Sequence, residues 1–155
     1  MPFDVVVERH ASDVWRFSVS QVGRERADDV FQETMLAALA AYPGLRDPAS
    51  VRSWLLRIAA RKAIDAFRAA GRAPVPVPEV AEVAGAGAES ELADEELWAR
   101  VRSLPEKQRQ AVALRFLVDL EYADIGAAME TSAEAARRSV FEALRALREF
   151  EGGRR

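Results

Sequence analysis

The sequence predicts an all-α protein built as two small helical domains with a linker between them. Apolar residues recur every three or four positions on both sides of a segment rich in proline, alanine and glycine, which is the spacing of helices packed on a core. No run alternates apolar and polar residues as a half-buried strand does, and prolines exclude a strand from the valine-rich stretch "VPVPEV". We therefore expect an N-terminal domain over 1–72, a flexible acidic linker over 73–91 and a C-terminal domain over 92–155.

Three helices are predicted in the N-terminal domain, over 8–22, 26–41 and 50–70. Trp15 in the first helix and Phe31 in the second fall within stripes of apolar residues at helical spacing. The stretch "YPGLRDP" separates the second helix from the third, because its two prolines and its glycine end a helix.

Four helices are predicted in the C-terminal domain, over 90–102, 105–118, 121–129 and 132–150. Pro105 suits the first turn of its helix, and Ser132 can cap the last one. The inner face of the last helix is predicted to consist of Val140, Phe141, Leu144 and Leu147. The last two helices, with a polar turn between them, could form either a DNA-reading helix-turn-helix or an ordinary helical corner.

The formal net charge of −3 conceals an uneven distribution of charge. Residues 1–72 and residues 99–155 each hold 11 Lys and Arg against 9 Asp and Glu, whereas residues 73–98 hold no Lys or Arg and 7 Asp and Glu. Two mildly basic lobes flanking an acidic connector favour a nucleic-acid-binding protein.

Composition bounds the compartment and the chemistry. The chain has no cysteine, which excludes disulfides, thiolate catalysis and cysteine-zinc sites. No apolar run approaches the roughly 20 residues of a membrane span, and no basic segment followed by an apolar stretch opens the sequence. We expect a cytoplasmic protein without membrane insertion.

A row of arginines marks one side of the third predicted helix. Arg57, Arg61, Arg68 and Arg72 fall into one narrow line, here called the arginine stripe, and Trp54 lies at its N-terminal edge. Cations that neutralise phosphates beside an indole that stacks on an unpaired base are what single-stranded DNA requires. A solvated arginine face with Trp54 anchoring the core explains the same pattern, and the stripe alone favours that simpler interpretation.

Carboxylates cluster on the second predicted helix, where Asp29 and Glu33 are four residues apart and share a face with Asp28 nearby. No other segment supplies clear ligands or a nucleophile, so we expect no metal, no cofactor and no catalytic residue, and His10 is interpreted as a solvated or capping histidine. A small hydrolase built on these carboxylates is therefore disfavoured. An acidic surface that docks a basic partner, or a solvated face, explains them better.

Three motifs in order resemble those of the extracytoplasmic-function (ECF) group of sigma-70 family bacterial RNA polymerase sigma factors. "RADDVFQETMLAAL" is similar to the first signature of the group and "SVRSWLLRIAARKAIDAFR" to the second. "LPEKQRQAVALRFLVDLEYADIGAAM" is similar to the third, and the resemblance covers nearly all of residues 8–150. It implies a non-enzymatic initiation factor with a region 2-like domain before the linker and a region 4-like domain after it.

The resemblance also implies partners and site residues. The β′ clamp helices of core RNA polymerase would bind Asp28, Asp29, Gln32 and Glu33. The −10 promoter element would be melted and held by Trp54, Arg57, Arg61, Lys62 and Arg68. The −35 element would be read by Arg137, Arg138 and Ser139 on the last helix. The polymerase β flap and an anti-sigma protein are the other implied partners, and the acidic connector would thread toward the polymerase active-site cleft.

The sequence departs from the group pattern in three places. Arg61 stands where asparagine is usual, Glu130-Thr131 replaces glycine-isoleucine at the turn, and Glu142 follows Phe141 where a basic residue is common. We expect Arg61 to alter −10 selectivity. The other two departures leave a second function open, a sigma-like interaction module that binds core polymerase or an anti-sigma protein without reading promoter DNA.

Overall fold

The computed structural model describes residues 2–45, 51–71 and 94–152, with side chains up to residue 149. Within these ranges the chain forms helices and turns and no strand, which confirms the all-α prediction. The α-helices are α1 (Phe3–Val22), α2 (Arg24–Ala41), α3 (Val51–Ala70), α4 (Glu95–Arg102), α5 (Glu106–Phe116), α6 (Tyr122–Met129) and α7 (Ala133–Gly152). A 3-10 turn at Tyr42–Gly44 follows α2, and the predicted linker over 73–91 lies outside the described residues.

The first helix begins five residues earlier than predicted. Pro2 has an extended backbone and its carbonyl accepts hydrogen bonds from the N–H groups of Val5 and Val6 at 3.1 and 3.4 Å. Val6 is fully buried, and Asp4 lies in the first turn, where a carboxylate is favoured by the helix dipole. An apolar anchor and a favourable first turn therefore extend α1 beyond the stripe that predicted it.

A single residue separates α1 from α2. The N–H of Gly23 donates to the carbonyl of Val19 at 2.8 Å and closes α1, while its own carbonyl accepts the N–H of Ala27 at 3.0 Å and opens α2. Gly23 has a φ of 84°, a backbone conformation that residues other than glycine rarely adopt. The two helices are thus joined without a loop.

The N-terminal group, α1 to α3, packs around a dense apolar centre. Phe17, Val30, Leu55 and Ala59 are fully buried, and the rings of Trp15 and Phe31 meet edge to face with centroids 6.4 Å apart. Phe31 is only partly buried and packs against this centre. Apolar residues at the predicted helical spacing therefore fill this core.

The C-terminal group, α4 to α7, corrects one prediction about the last helix. Val140 is buried, but Phe141, assigned to the inner face, has 53% of its surface exposed. The positions that enter the core are Ala136, Val140 and Ala143, which repeat every three to four residues, and Phe141 lies about 100° around the helix from Val140. Small alanines, rather than the large ring, let α7 approach its neighbours closely.

Pro105 and Ser132 flank helices of this group, as predicted, with one adjustment. Pro105 lies just before α5 rather than in its first turn, and its carbonyl accepts the N–H of Arg109 at 2.9 Å. The hydroxyl of Ser132 accepts the N–H of Ala135 at 3.0 Å, which confirms Ser132 as the cap of α7.

The two groups pack against each other and share buried polar side chains, a contact that the sequence did not predict. Gln110 of α5 donates to the carbonyl of Ala60 in α3 at 2.9 Å, and Gln21 of α1 donates to the carbonyl of Arg109 at 3.1 Å. The guanidinium of Arg109 donates back to Gln21 at 3.2 Å and lies 3.7 Å from the ring centre of Phe67. We call this packing of the two groups the closed arrangement.

Candidate polymerase and nucleic-acid interfaces

The arginine stripe lies on the exposed side of α3, as predicted from its spacing. Arg57, Arg61 and Arg68 are exposed, and Arg72 lies outside the described residues. Leu55 and Ala59, on the opposite side of the helix, are fully buried. The helix therefore separates a core face from a cationic face.

Trp54 and Lys62, the other predicted members of this site, are partly buried on the same helix. The indole of Trp54 packs near the ring of Tyr42, with centroids 6.3 Å apart, and lines a shallow cleft together with Arg57 and with Ala127 of α6. An aromatic side chain that keeps some exposure beside cations retains a surface on which a base can stack.

Each described arginine of the stripe is paired with a carboxylate of the C-terminal group. Glu130 accepts a hydrogen bond from Arg57 at 2.7 Å and one from Nε of Arg61 at 2.9 Å, and Nη2 of Arg61 also bonds its carboxylate. Arg68 pairs with Glu106 of α5 at 3.3 Å. Hydrogen bonds from Arg61 and then Arg57 hold the pKa of the Glu130 carboxyl below its usual range, so it is ionised at neutral pH.

Glu130 lies in the turn between α6 and α7, with a left-handed backbone at φ 58° and ψ 44°. Glycine is the residue most often found at this position after a helix, since a side chain there is strained. Within the turn, the N–H of Thr131 donates to the carbonyl of Gly126 at 2.8 Å. A Cβ on Gly126 would lie only 2.8 Å from the Thr131 carbonyl oxygen, so the chain folds back directly over this glycine.

The start of α7 presents the predicted DNA-reading side chains. Arg137 and Arg138 are exposed and Ser139 is half-buried. The guanidinium of Arg137 lies 5.3 Å from the ring centre of the exposed Phe141. These side chains belong to a surface cleft lined by Glu134, Arg137, Arg138, Phe141, Glu142 and Arg145. Three arginines and two carboxylates therefore line this cleft.

The predicted docking face of α2 is exposed to solvent at Asp29, Gln32 and Glu33 and half-buried at Asp28. The amide of Gln32 donates to Asp28 at 3.0 Å. Sequence reasoning missed two apolar members of this surface, which lie outside the buried stripe of α2: Leu36 and Leu39, with 66% and 53% of their surfaces exposed. The sequence did carry a signal for them, because both leucines fall outside the apolar stripe that faces the core of the N-terminal group. Large apolar side chains left exposed in this way indicate a surface that binds a partner.

Among the residues that the structure describes, none form a cluster of three or more potential metal ligands. His10 lies inside α1 and is half-buried, rather than at a helix start as predicted; burial lowers its pKa, with Asp13 acting in the opposite direction. None of the described helices has the length and apolar character of a membrane span.

Comparisons with known proteins match the N-terminal and C-terminal groups to two regions of the same protein family. Residues 6–73 match the family model of Sigma-70 region 2, and residues 94–147 match that of Sigma-70, region 4. The chain is 28% identical over 140 residues to the RNA polymerase sigma factor SigV of Bacillus subtilis, covering 90% of this chain and 84% of that protein. It is 29% identical over 160 residues to the ECF RNA polymerase sigma-E factor of Escherichia coli, covering 94% of this chain and 84% of that protein.

Solved structures share the fold. The sigma factor RpoE of Bartonella quintana, in complex with the anti-sigma factor NepR, superposes with a TM-score of 0.77 at 20% identity over 99% of this chain and 98% of that one. CnrH, in complex with the cytosolic domain of CnrY, gives a TM-score of 0.73 at 22% identity over 97% and 88%. The resemblance predicted from the three motifs is therefore confirmed. The two matched regions come from one family and together span most of this chain, and the relatives named above are sigma factors of the same kind. The chain therefore belongs to the ECF group of the sigma-70 family of bacterial RNA polymerase sigma factors.

Proposed function

We propose that this sigma factor works through three separate surfaces, one for core RNA polymerase and two for promoter DNA. The observation that carries the proposal is the presence of an exposed acidic and apolar face on α2 together with exposed arginines on both α3 and α7. The protein acts by binding, and polymerase supplies the chemistry. It works in the cytoplasm, where bacterial transcription takes place.

The division of labour follows the predicted domains, 1–72 and 92–155, with the acidic linker over 73–91 between them. On α2, the β′ clamp helices of core polymerase would meet Asp28, Asp29, Gln32 and Glu33, with Leu36 and Leu39 adding apolar contact. The C-terminal domain would bind the β flap. An acidic face bordered by leucines combines steering of a basic partner with area to bury.

The two promoter elements would be recognised by different chemistry. The −10 element would be captured as unpaired bases by Trp54, Arg57, Arg61, Lys62 and Arg68. The −35 element would be read as duplex by Arg137, Arg138 and Ser139, since the first turns of a helix in the major groove reach base edges.

An inhibitory partner is part of the proposal. RpoE of Bartonella quintana is solved with an anti-sigma factor, and its fold matches this chain along almost its full length. We propose that an anti-sigma protein binds this chain as well and competes with polymerase for the exposed leucines of α2.

Run-off transcription tests the function as a whole. Purified core polymerase from the source bacterium would be mixed with a pool of its genomic fragments, with and without this protein. Discrete transcripts that require the protein are the expected result, and their aligned start sites would define both elements. Co-purification with core polymerase but no transcripts would instead indicate the interaction module without promoter reading.

Reversing one charge on α2 tests the polymerase surface. Glu33→Lys is expected to raise the Kd for core polymerase about tenfold, because it replaces attraction to a basic partner with repulsion. Fluorescence anisotropy of labelled protein titrated with core polymerase measures this. Glu8→Lys, an equal charge change at an exposed position on α1, is the control and should bind like the unaltered protein. Equal affinities for both variants would contradict the assignment.

Removing one arginine on α7 tests the −35 surface. Arg138→Ala is expected to weaken binding of a duplex carrying the upstream element by about 1–3 kcal/mol and to relax its sequence preference. Arg148→Ala, exposed later on the same helix, is the matched control for a loss of charge. If Arg138→Ala leaves both affinity and sequence preference unchanged, Arg138 does not read the element.

A further inference from the structure

We propose that Glu130 is an internal competitor for promoter DNA, which occupies Arg57 and Arg61 in the closed arrangement and must leave them before the −10 strand can bind. The proposal rests on the function assigned above to the arginine stripe. It adds a self-inhibiting contact, made by the C-terminal group on the DNA-binding face of the N-terminal group.

The contact has the geometry of an arginine-bound phosphate. One carboxylate bridges two guanidinium groups, with Arg57 at 2.7 Å and Nε of Arg61 at 2.9 Å, and Arg61 donates from a second nitrogen as well. Paired N–H donors directed at one anion are the arrangement by which arginine binds phosphate. Glu130 therefore presents to α3 the same kind of ligand that a DNA backbone would present.

The rest of the stripe is occupied in the same way. Arg68 pairs with Glu106 of α5, and Ala127 of α6 lines the cleft beside Trp54. Within the described part of α3, every arginine of the stripe thus meets a carboxylate from the C-terminal group, and the stacking residue is flanked by α6. A nucleic-acid strand cannot lie along this face until α6 withdraws.

The backbone conformation of Glu130 indicates that its side chain has a role beyond forming the turn. It holds a left-handed backbone at φ 58°, where glycine is free of the strain that any side chain suffers. The turn would form more easily without a side chain there. The gain that offsets this strain in the structure is the pair of contacts to α3.

The contact is also weak enough to be displaced. The side chains of Arg57, Arg61 and Glu130 keep between 41% and 59% of their surfaces exposed, so water and salt screen the attraction. Buried contacts such as that of Gln110 with the carbonyl of Ala60 also stabilise the closed arrangement, so the pairs made by Glu130 contribute only part of its stability.

The first test is binding of a fluorescein-labelled single strand of thymidines to the full chain, followed by anisotropy. Glu130→Gln is expected to raise the affinity about two- to fivefold at about 50 mM salt, and the gain should shrink at about 500 mM salt because the pairs are screened. Glu121→Gln, which removes an equal charge at the other end of α6, should give a distinctly smaller gain. Equal gains for the two variants would overturn the proposal, since net charge alone would then explain them.

A background without the two arginines sharpens this test. In an Arg57→Gln/Arg61→Gln protein, the advantage of Glu130→Gln over Glu121→Gln should vanish, because the competitor has nothing left to occupy. An advantage that persists in this background would show that Glu130 acts elsewhere.

A second test uses the absence of native cysteines. Ser53→Cys and Ala127→Cys, on the two walls of the Trp54 cleft, would be joined by a short reducible bismaleimide. The cross-linked protein should lose activity in run-off transcription and regain it after reduction. Full activity of the cross-linked protein would overturn the proposal. If the double-cysteine protein is inactive both before cross-linking and after reduction, and the protein without cysteines is inactive as well, the proposed function has failed instead.

Discussion

Replacing Arg109 with alanine is expected to lower the free energy of unfolding by about 3–4 kcal/mol. The side chain is almost fully buried and donates to Gln21 and to the carbonyl of Leu104, both at 3.2 Å, while its guanidinium lies over the ring of Phe67. Its removal leaves two buried acceptors short of a partner, at about 1–3 kcal/mol each in the absence of compensating water, and opens a cavity. Three helices of the closed arrangement lose their common contact.

Urea unfolding followed by circular dichroism measures this change. Lys107→Ala is the control, because it removes an exposed cation from the same helix and should alter stability by no more than about 0.5 kcal/mol. Because the two groups share buried contacts, we expect one transition in the unaltered protein and a lower midpoint in the Arg109 variant. A midpoint for Arg109→Ala equal to that of Lys107→Ala would contradict the account of this contact.

Gly126→Ala is expected to destabilise the protein by about 3 kcal/mol and to displace the turn before α7. The added Cβ would lie 2.8 Å from the carbonyl oxygen of Thr131 and 2.9 Å from the carbonyl carbon of Ser132. Both are backbone atoms, so no side-chain rotation can relieve the overlap, and the cost falls at the upper end for overpacking. Shifting the turn also moves the start of α7, where the side chains proposed to read the −35 element lie.

Two measurements on this variant separate the effects. Urea unfolding should show the loss of stability, and titration with an upstream-element duplex should show weaker binding at a temperature where the variant remains folded. Gly44→Ala is the matched control, because an added Cβ there meets nothing within 4 Å. A Gly126 variant as stable as the Gly44 variant would mean that the turn accommodates a methyl group.

Local periodicity was the most informative property of the sequence. It predicted which side of α3 is buried and which carries the arginine stripe, because that side is fixed by helical geometry alone. It failed at Phe141, where an apolar ring was assigned to the core although small alanines fill the interior positions of α7. Hydrophobicity identifies candidates for a core, but close helix packing selects among them by size.

The contact between the two groups could not be predicted in the same way. Arg61 and Glu130 both depart from the family pattern, and local patterns relate Arg61 to −10 selectivity and Glu130 to the turn before α7, without linking the two. They are 69 residues apart and bond to each other in the structure. Such a pairing depends on how two groups dock, which no local pattern encodes. The assigned roles of the polymerase and promoter residues remain predictions.

The loop-free junction at Gly23 bears on the order in which polymerase and promoter DNA could bind. One residue both closes α1 and opens α2, so the two helices meet at a corner without a loop. One face of α2 is exposed to solvent, while α1 contacts the C-terminal group through Gln21. The face of α2 proposed to bind polymerase is exposed while Arg57 and Arg61 are still paired with Glu130. Under the proposed function, docking on polymerase through α2 can therefore come before the release of Arg57 and Arg61, so the −10 surface need not be free before the chain is bound.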